Sequence, residues 1–82
     1  MIATVASSTT ANRIKRKLYE TSIYSSVIQT PHALTKEGCG YSLRFDDRFK
    51  NLVEKAAYEI GANIRGFYTE SVNNGKKEYI KV

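Results

Sequence analysis

The sequence has few of the residues that hold small folds together covalently or through metals. Its 82 residues include one cysteine, one histidine, one proline and no tryptophan. A single cysteine excludes a disulfide within the chain, and one cysteine with one histidine cannot build a structural zinc site. Long apolar runs are lacking too, so no membrane-spanning segment is expected. We find no signal-peptide pattern and expect a cytoplasmic protein, in which the thiol stays reduced.

The chain does have enough apolar residues for one small core. Hydrophobic residues make up 41% of it, including six tyrosines and three phenylalanines. This composition predicts a single folded domain over residues 1–82. The net charge of +5 comes from separate basic clusters near the two ends of the chain. Clusters of this kind are usually solvated surfaces, so a nucleic-acid partner is not expected from charge alone.

Hydrophobic periodicity and turn residues predict five strands and two helices. The strands are predicted over residues 2–6, 23–30, 41–45, 64–72 and 78–82. The first helix is predicted to start near Ala11, capped by Ser8 or Thr9, and to end near residue 21. The second follows a cap at Asp46 or Asp47 and ends at Gly61. Its expected core-facing residues are Phe49, Leu52, Val53, Ala56, Ala57 and Ile60.

This order of elements predicts an α+β fold of the ferredoxin-like type. The pattern βαββαβ forms an antiparallel sheet with both helices on one face, here followed by a short C-terminal hairpin strand. The first and second strands should run parallel with the third between them. The loops at residues 7–10, 31–40 and 61–63 should therefore meet at one edge of the sheet.

The loop at residues 31–40 holds the only proline, histidine and cysteine of the chain. Its predicted position places Cys39 near the N-terminus of the first helix, where free N–H groups and the helix dipole stabilise a thiolate. Gly38 and Gly40 would keep the sulfur accessible. The candidate supporting residues are Lys36, His32, Ser8 and Thr9, with Arg13 as a further cationic neighbour.

Each of these residues also has a simpler interpretation. A lone cysteine often fills a gap in a core without reacting. His32 and Lys36 can be ordinary loop residues, and the serine and threonine cluster can act only as a helix cap. The two glycines and the predicted edge position favour a reactive thiol at Cys39.

Several short motifs in this order resemble the putative selenium/sulfur carrier protein-like family. The likeness covers the chain to about Tyr68, which leaves residues 71–82 as a hairpin extension of a core over residues 1–70. The motifs are Thr30-Pro31, Cys39-Gly40 and Leu43-Arg44-Phe45. The resemblance implies that Cys39 holds sulfur or selenium as a persulfide or selenopersulfide.

The resemblance also implies protein partners, namely a donor resembling a cysteine desulfurase and an acceptor protein. Such a carrier needs no cofactor and no metal, because chalcogen exchange depends mainly on thiolate content and access. Paired carboxylates, a phosphate-binding glycine loop and a catalytic triad are lacking. We therefore expect a non-enzymatic carrier or interaction domain.

The alternative is a small binding module without covalent chemistry. Ferredoxin-like sheets also bind RNA through aromatic residues on the open sheet face. Arg65-Gly66-Phe67-Tyr68 weakly resembles the opening of an RNA-recognition signature, but the aromatic pattern that should follow is missing. A small-ligand domain or a homodimer is a further alternative, whereas a membrane partner is not expected.

Overall fold

A computed structural model describes residues 1–34 and 40–82 of the chain. Its five strands are β1 (Ile2–Val5), β2 (Ser25–Gln29), β3 (Tyr41–Phe45), β4 (Ile64–Asn73) and β5 (Lys76–Lys81). Its two α-helices are α1 (Ser8–Glu20) and α2 (Lys50–Glu59). Short 3₁₀ turns at His32–Leu34 and Asp47–Phe49 follow β2 and β3.

The strands form one sheet in the order β2-β3-β1-β4-β5. Every neighbouring pair is antiparallel. Because β1 and β2 both run antiparallel to β3, they are parallel to each other, with β3 between them. This is the predicted ferredoxin-like βαββαβ topology with an added C-terminal strand.

The hydrophobic core lies between the sheet and the two helices. Ala3 and Val5 of β1 face it, and Ile14 and Leu18 of α1 are almost fully buried against them. Phe67 of β4 packs on the same cluster and meets Phe45 edge to face, with the ring centroids 6.2 Å apart. Apolar burial of this kind is the main stabilising contribution in a small domain.

The first helix begins earlier than predicted. Ser7 is the N-cap, because its Oγ accepts a hydrogen bond from the Thr10 N–H at 3.2 Å. The prediction of Ser8 or Thr9 as the cap was therefore wrong, and both residues lie in the first turn of α1. Only a residue with extended backbone can direct its side chain to the N–H three positions later, and Ser7 has that backbone.

The second helix confirms part of the predicted stripe. Val53, Ala56 and Ala57 are buried, and Asp46 caps the 3₁₀ turn that leads into α2 by accepting from the Arg48 N–H at 3.1 Å. Leu52 was expected in the core but is 47% exposed. It lies at the margin of the apolar stripe and lines a groove between the helices instead of facing the sheet.

Two strand predictions were too long or shifted. β2 spans Ser25–Gln29 rather than residues 23–30. Ile23 still belongs to the end of α1, because its N–H donates to the Leu18 carbonyl at 2.9 Å. β5 spans Lys76–Lys81 rather than residues 78–82. Asn74 and Gly75 both have positive φ, as a two-residue type I′ hairpin turn requires, so pairing starts directly after the turn.

The sheet face opposite the helices is partly covered by the chain after β2. The 3₁₀ turn at His32–Leu34 contacts β5, although β2 and β5 lie at opposite edges of the sheet. The segment must therefore pass over the open face. In agreement, Ile2 and Ser42, which alternate with core residues and so point to this face, are both fully buried.

Candidate functional site

A cavity of about 200 Å³ lies on the open face where the thiol-bearing loop rejoins the sheet. It is formed by the ends of β1 and β2, the start of β4 and the residue before β3. Its lining residues are Thr4, Val5, Ala6, Thr30, Leu34, Gly40, Arg65 and Tyr68. The predicted loops at residues 7–10 and 61–63 do not line this cavity, but the strand pairing places the end of β1 and the start of β4, which adjoin them, at the same edge of the sheet as Gly40.

Gly40 is fixed at this edge by β2. The Thr30 N–H donates to the Gly40 carbonyl at 2.9 Å. Gly40 has φ of +152°, and an added Cβ would lie 3.3 Å from Thr30 Oγ1. A side chain is therefore opposed both by backbone conformation and by space. Cys39 precedes Gly40 in the chain but, with Gly38 and Lys36, lies outside the described residues.

Hydroxyl groups line the inner wall of the cavity. Thr30 Oγ1 and Ser42 Oγ are 2.6 Å apart and share a hydrogen bond, with Ser42 fully buried behind the wall. Thr4 Oγ1 donates to the Gly66 carbonyl over a long 3.4 Å. Such a weak bond leaves the Thr4 hydroxyl able to turn toward a stronger acceptor.

A β-bulge in β4 places Arg65 beside these hydroxyls. Thr4 pairs with Gly66 and Val5 pairs with Ile64, so Arg65 is the extra residue between two successive pairs. Ile64 and Phe67 both pack on the helix-side core although they are an odd number of residues apart. The bulge permits this arrangement and redirects Arg65 to the cavity on the open face.

Tyr68 closes the cavity from the β4 side. Its ring lies across the Gly66 backbone, so that a Cβ on Gly66 would be 3.2 Å from a ring carbon. Glycine in the strand therefore makes room for the aromatic side chain. The described part of the cavity wall thus combines a guanidinium, a phenol and threonine hydroxyls, without a carboxylate.

The other supporting residues predicted from the sequence are only partly brought together. Ser8 and Thr9 begin α1 after the N-cap Ser7, which follows Ala6, so they start at the sheet edge where Gly40 lies. His32 is exposed in its 3₁₀ turn. Arg13 is on the helix side, where its guanidinium donates to the Ile60 carbonyl at 3.0 Å at the end of α2.

The structure also places the motif that resembled an RNA-binding signature. Phe67 packs against the core, and the Lys50 ammonium lies 5.0 Å from its ring centroid. Its ring is therefore turned away from the open face on which RNA-binding sheets stack bases. Tyr68 is on the open face but forms part of the cavity wall.

Sequence reasoning missed most of the cavity wall. Thr4 and Ser42 could have been found by their alternation with core residues of β1 and β3, which assigns them to the open face. Arg65 could not, because strict alternation predicts no bulge. Within residues 1–34 and 40–82, no group of three potential metal-ligating side chains comes together. None of the helices described is both long and apolar enough to cross a membrane.

The fold and this edge define a small α+β domain of the ferredoxin-like class, with a glycine-anchored loop next to a polar cavity. The chain belongs to the putative Se/S carrier protein-like family, whose sequence model matches residues 1–69. This match confirms the resemblance and ends where the outer part of the β4–β5 hairpin begins. No curated protein and no solved structure matches the chain.

Proposed function

We propose that this protein is a sulfur or selenium carrier that holds the chalcogen on Cys39 and passes it to a partner protein. The observation that carries the proposal is the family match over residues 1–69, which includes the Cys39-Gly40 pair. Gly40 lines the same cavity as Ala6, two residues before the start of α1, which supports the proposal. A helix N-terminus at that edge would favour the thiolate form of a neighbouring cysteine.

The transfer step is a thiolate exchange. The Cys39 thiolate attacks the outer sulfur of a donor persulfide, the S–S bond of the donor breaks, and the donor sulfur leaves as a thiolate. The product is a persulfide on Cys39, with the same number of electrons and protons on both sides. A selenopersulfide donor would transfer selenium in the same way. The reverse exchange delivers the chalcogen to the acceptor.

The flanking residues have supporting roles in this proposal. Gly38 and Gly40 leave the sulfur open to a second protein, and Gly40 sets the direction in which the loop enters β3. Lys36 and His32 would supply positive charge near the thiolate. Ser8 and Thr9 would present first-turn N–H groups of α1, which have no carbonyl partner within the helix.

A carrier needs protein partners rather than a substrate pocket of its own. We propose a desulfurase-like donor and an acceptor protein in the cytoplasm, with the carrier itself non-enzymatic and free of cofactor. We assign the carrier role to a core over residues 1–70 of a single domain, with residues 71–82 as an extension. A homodimer would be compatible with this scheme if it left the Cys39 edge exposed.

Intact-mass spectrometry after exposure to a persulfide donor tests the carrier role. We expect the wild-type protein to gain the mass of one or more sulfur atoms and to lose it again on reduction. Cys39→Ser should gain nothing. Wild-type protein alkylated at its single thiol beforehand provides a second control, since it keeps every other residue.

Two results would contradict the proposal. One is sulfur uptake by Cys39→Ser, which would place the acceptor atom elsewhere. The other is a wild-type protein that reacts with a small alkylating reagent but takes no sulfur from the donor. In that case the thiol would be accessible but unable to act as a carrier.

A further inference from the structure

The geometry points to the open-face cavity as a binding site for a small oxyanion, with Arg65 as the charged ligand and threonine and tyrosine hydroxyls as hydrogen-bond donors. Binding does not require the Cys39 thiol, so this inference goes beyond the carrier role. If the carrier role holds as well, the site would lie beside the loop that carries the chalcogen.

The charge of the cavity wall favours an anionic ligand. Among the described residues that line the cavity, Arg65 and Tyr68 are the ionisable ones, and none carries a carboxylate. The ion pairs of the described residues engage Arg44 and Arg48 but not Arg65. A guanidinium presents several N–H donors in a planar fork that matches two oxygens of an oxyanion. The cavity therefore favours an anion with at least two oxygens.

Hydroxyl groups beside Arg65 can supply further hydrogen-bond donors to an anion. Within residues 1–34 and 40–82, the Thr4 hydroxyl makes one hydrogen bond, to the Gly66 carbonyl at 3.4 Å, and Tyr68 Oη makes none. Ser42 Oγ can donate to Thr30 Oγ1, which frees the Thr30 hydrogen for a ligand. Three hydroxyl groups can therefore donate into the cavity without loss of a strong existing bond.

The cavity has the size of a small oxyanion, and its walls are held in place. A volume of about 200 Å³ is below the range of roughly 300–1,000 Å³ found for drug-sized ligands. It accommodates a sulfite, selenite, sulfate or phosphate ion with a few waters. Three features fix the walls: the bulge at Arg65, the Tyr68 ring over Gly66, and the buried Ser42 hydroxyl behind Thr30.

Amide NMR titration of the Cys39→Ser protein tests the site, because this variant cannot react covalently with sulfite or selenite. Sodium sulfite, selenite, sulfate and phosphate are added at constant ionic strength, with chloride as the reference. We expect saturable shifts at the amides of Thr4, Thr30, Gly40, Gly66 and Tyr68. Chloride should produce none of comparable size.

Matched charge variants separate the site from general electrostatics. Arg65→Gln should weaken oxyanion binding about tenfold, because a hydrogen bond to a charged group contributes on that scale. Arg65→Lys keeps the charge but loses the planar fork of N–H donors, so its affinity for the oxyanion should lie between those of the wild type and Arg65→Gln. Arg16→Gln removes the same charge from the outer face of α1, away from the cavity, and should have no effect. Unchanged β4 amide shifts in the absence of anion would show that the variants fold normally.

The proposal is overturned if no saturable shift occurs, or if Arg65→Gln and Arg16→Gln weaken binding equally. Preference for sulfite and selenite over phosphate would link the site to the cargo of a carrier. Equal binding of all four would support a general oxyanion site. If anions bind but Cys39 takes up no sulfur, the carrier role is wrong and the oxyanion site stands. If Cys39 takes up sulfur but no anion binds, the oxyanion site is wrong and the carrier role stands.

Discussion

Gly40 occupies a backbone conformation that every other residue would oppose. Its φ of +152° and the 3.3 Å approach of a hypothetical Cβ to Thr30 Oγ1 act together. We expect Gly40→Ala to lower the free energy of unfolding by about 2–3 kcal/mol, from backbone strain and steric contact. Urea denaturation followed by circular dichroism measures this loss.

Gly75 provides the matched control for Gly40. It also has positive φ, +78°, but nothing lies within 4 Å of its hypothetical Cβ. Gly75→Ala should therefore cost only about 1 kcal/mol, the backbone contribution by itself. Equal losses for the two variants would show that the contact with Thr30 does not constrain the loop.

The hydrogen bond between the Thr30 and Ser42 hydroxyls at the cavity wall can be tested by substitution. Thr30→Val and Ser42→Ala each remove one member of the 2.6 Å hydrogen bond. Thr30→Val should cost about 1–2 kcal/mol, because it leaves the buried Ser42 hydroxyl without its partner. Ser42→Ala should cost about 1 kcal/mol or less, because the half-buried Thr30 hydroxyl still faces the cavity. The double variant should be less destabilised than the sum of the two, with a coupling energy of about 1 kcal/mol. Strict additivity, measured by the same denaturation assay, would contradict the bond.

Substitutions at the start of α1 test whether Ser7 is the N-cap. Ser7→Ala should lower the free energy of unfolding by about 1 kcal/mol, since the Thr10 N–H loses its side-chain acceptor. Ser8→Ala and Thr9→Ala are the controls; both lie inside the helix, where alanine has the higher propensity, and should change stability by less than about 0.5 kcal/mol. A larger loss at Ser8 or Thr9 than at Ser7 would restore the cap expected from the sequence.

The element boundaries show which signals the sequence contains and which it lacks. Glycine marks the end of α2 correctly: Gly61 has φ of +69°, and the Ala62 N–H donates back to the Ala57 carbonyl at 2.9 Å. The end of α1 has the same hydrogen-bond pattern, but Ser22 adopts the positive φ there. Serine is common in turns of every kind, so a serine at this position does not predict a helix C-cap with positive φ.

The sheet followed from the sequence more closely than the site did. Alternation of apolar residues predicted β3 to the residue, and the order of elements fixed the topology. The bulge at Arg65 and the path of the chain over the open face depend on contacts between distant segments. The exposure of Leu52 could not be predicted for the same reason. An apolar stripe shows which face of a helix is buried, but it does not show which margin of that face the neighbouring helix covers.

At the scale of the whole molecule, stability should be unevenly distributed. β1 and β3 lie inside the sheet and carry fully buried residues, whereas all residues from Ser71 to Glu78 are exposed. Beyond Tyr68, β4 pairs only with β5. The Arg44 guanidinium of β3 binds the Glu70 carboxylate at 2.8 Å, directly before the exposed stretch. The outer hairpin therefore has little besides its own ladder to hold it.

Amide hydrogen exchange tests this distribution. We expect the hydrogen-bonded amides of β1 and β3 to exchange only on global unfolding, and those of residues 71–78 to exchange on the order of a hundredfold faster or more by local opening. Glu70→Gln should extend the fast region toward Tyr68, since it removes the ion pair with Arg44, while Glu78→Gln changes the same charge on the exposed hairpin and should not. Uniform protection across β1 and the hairpin would mean that residues 71–82 fold cooperatively with the core, and the proposed boundary at residue 70 would then have no physical basis.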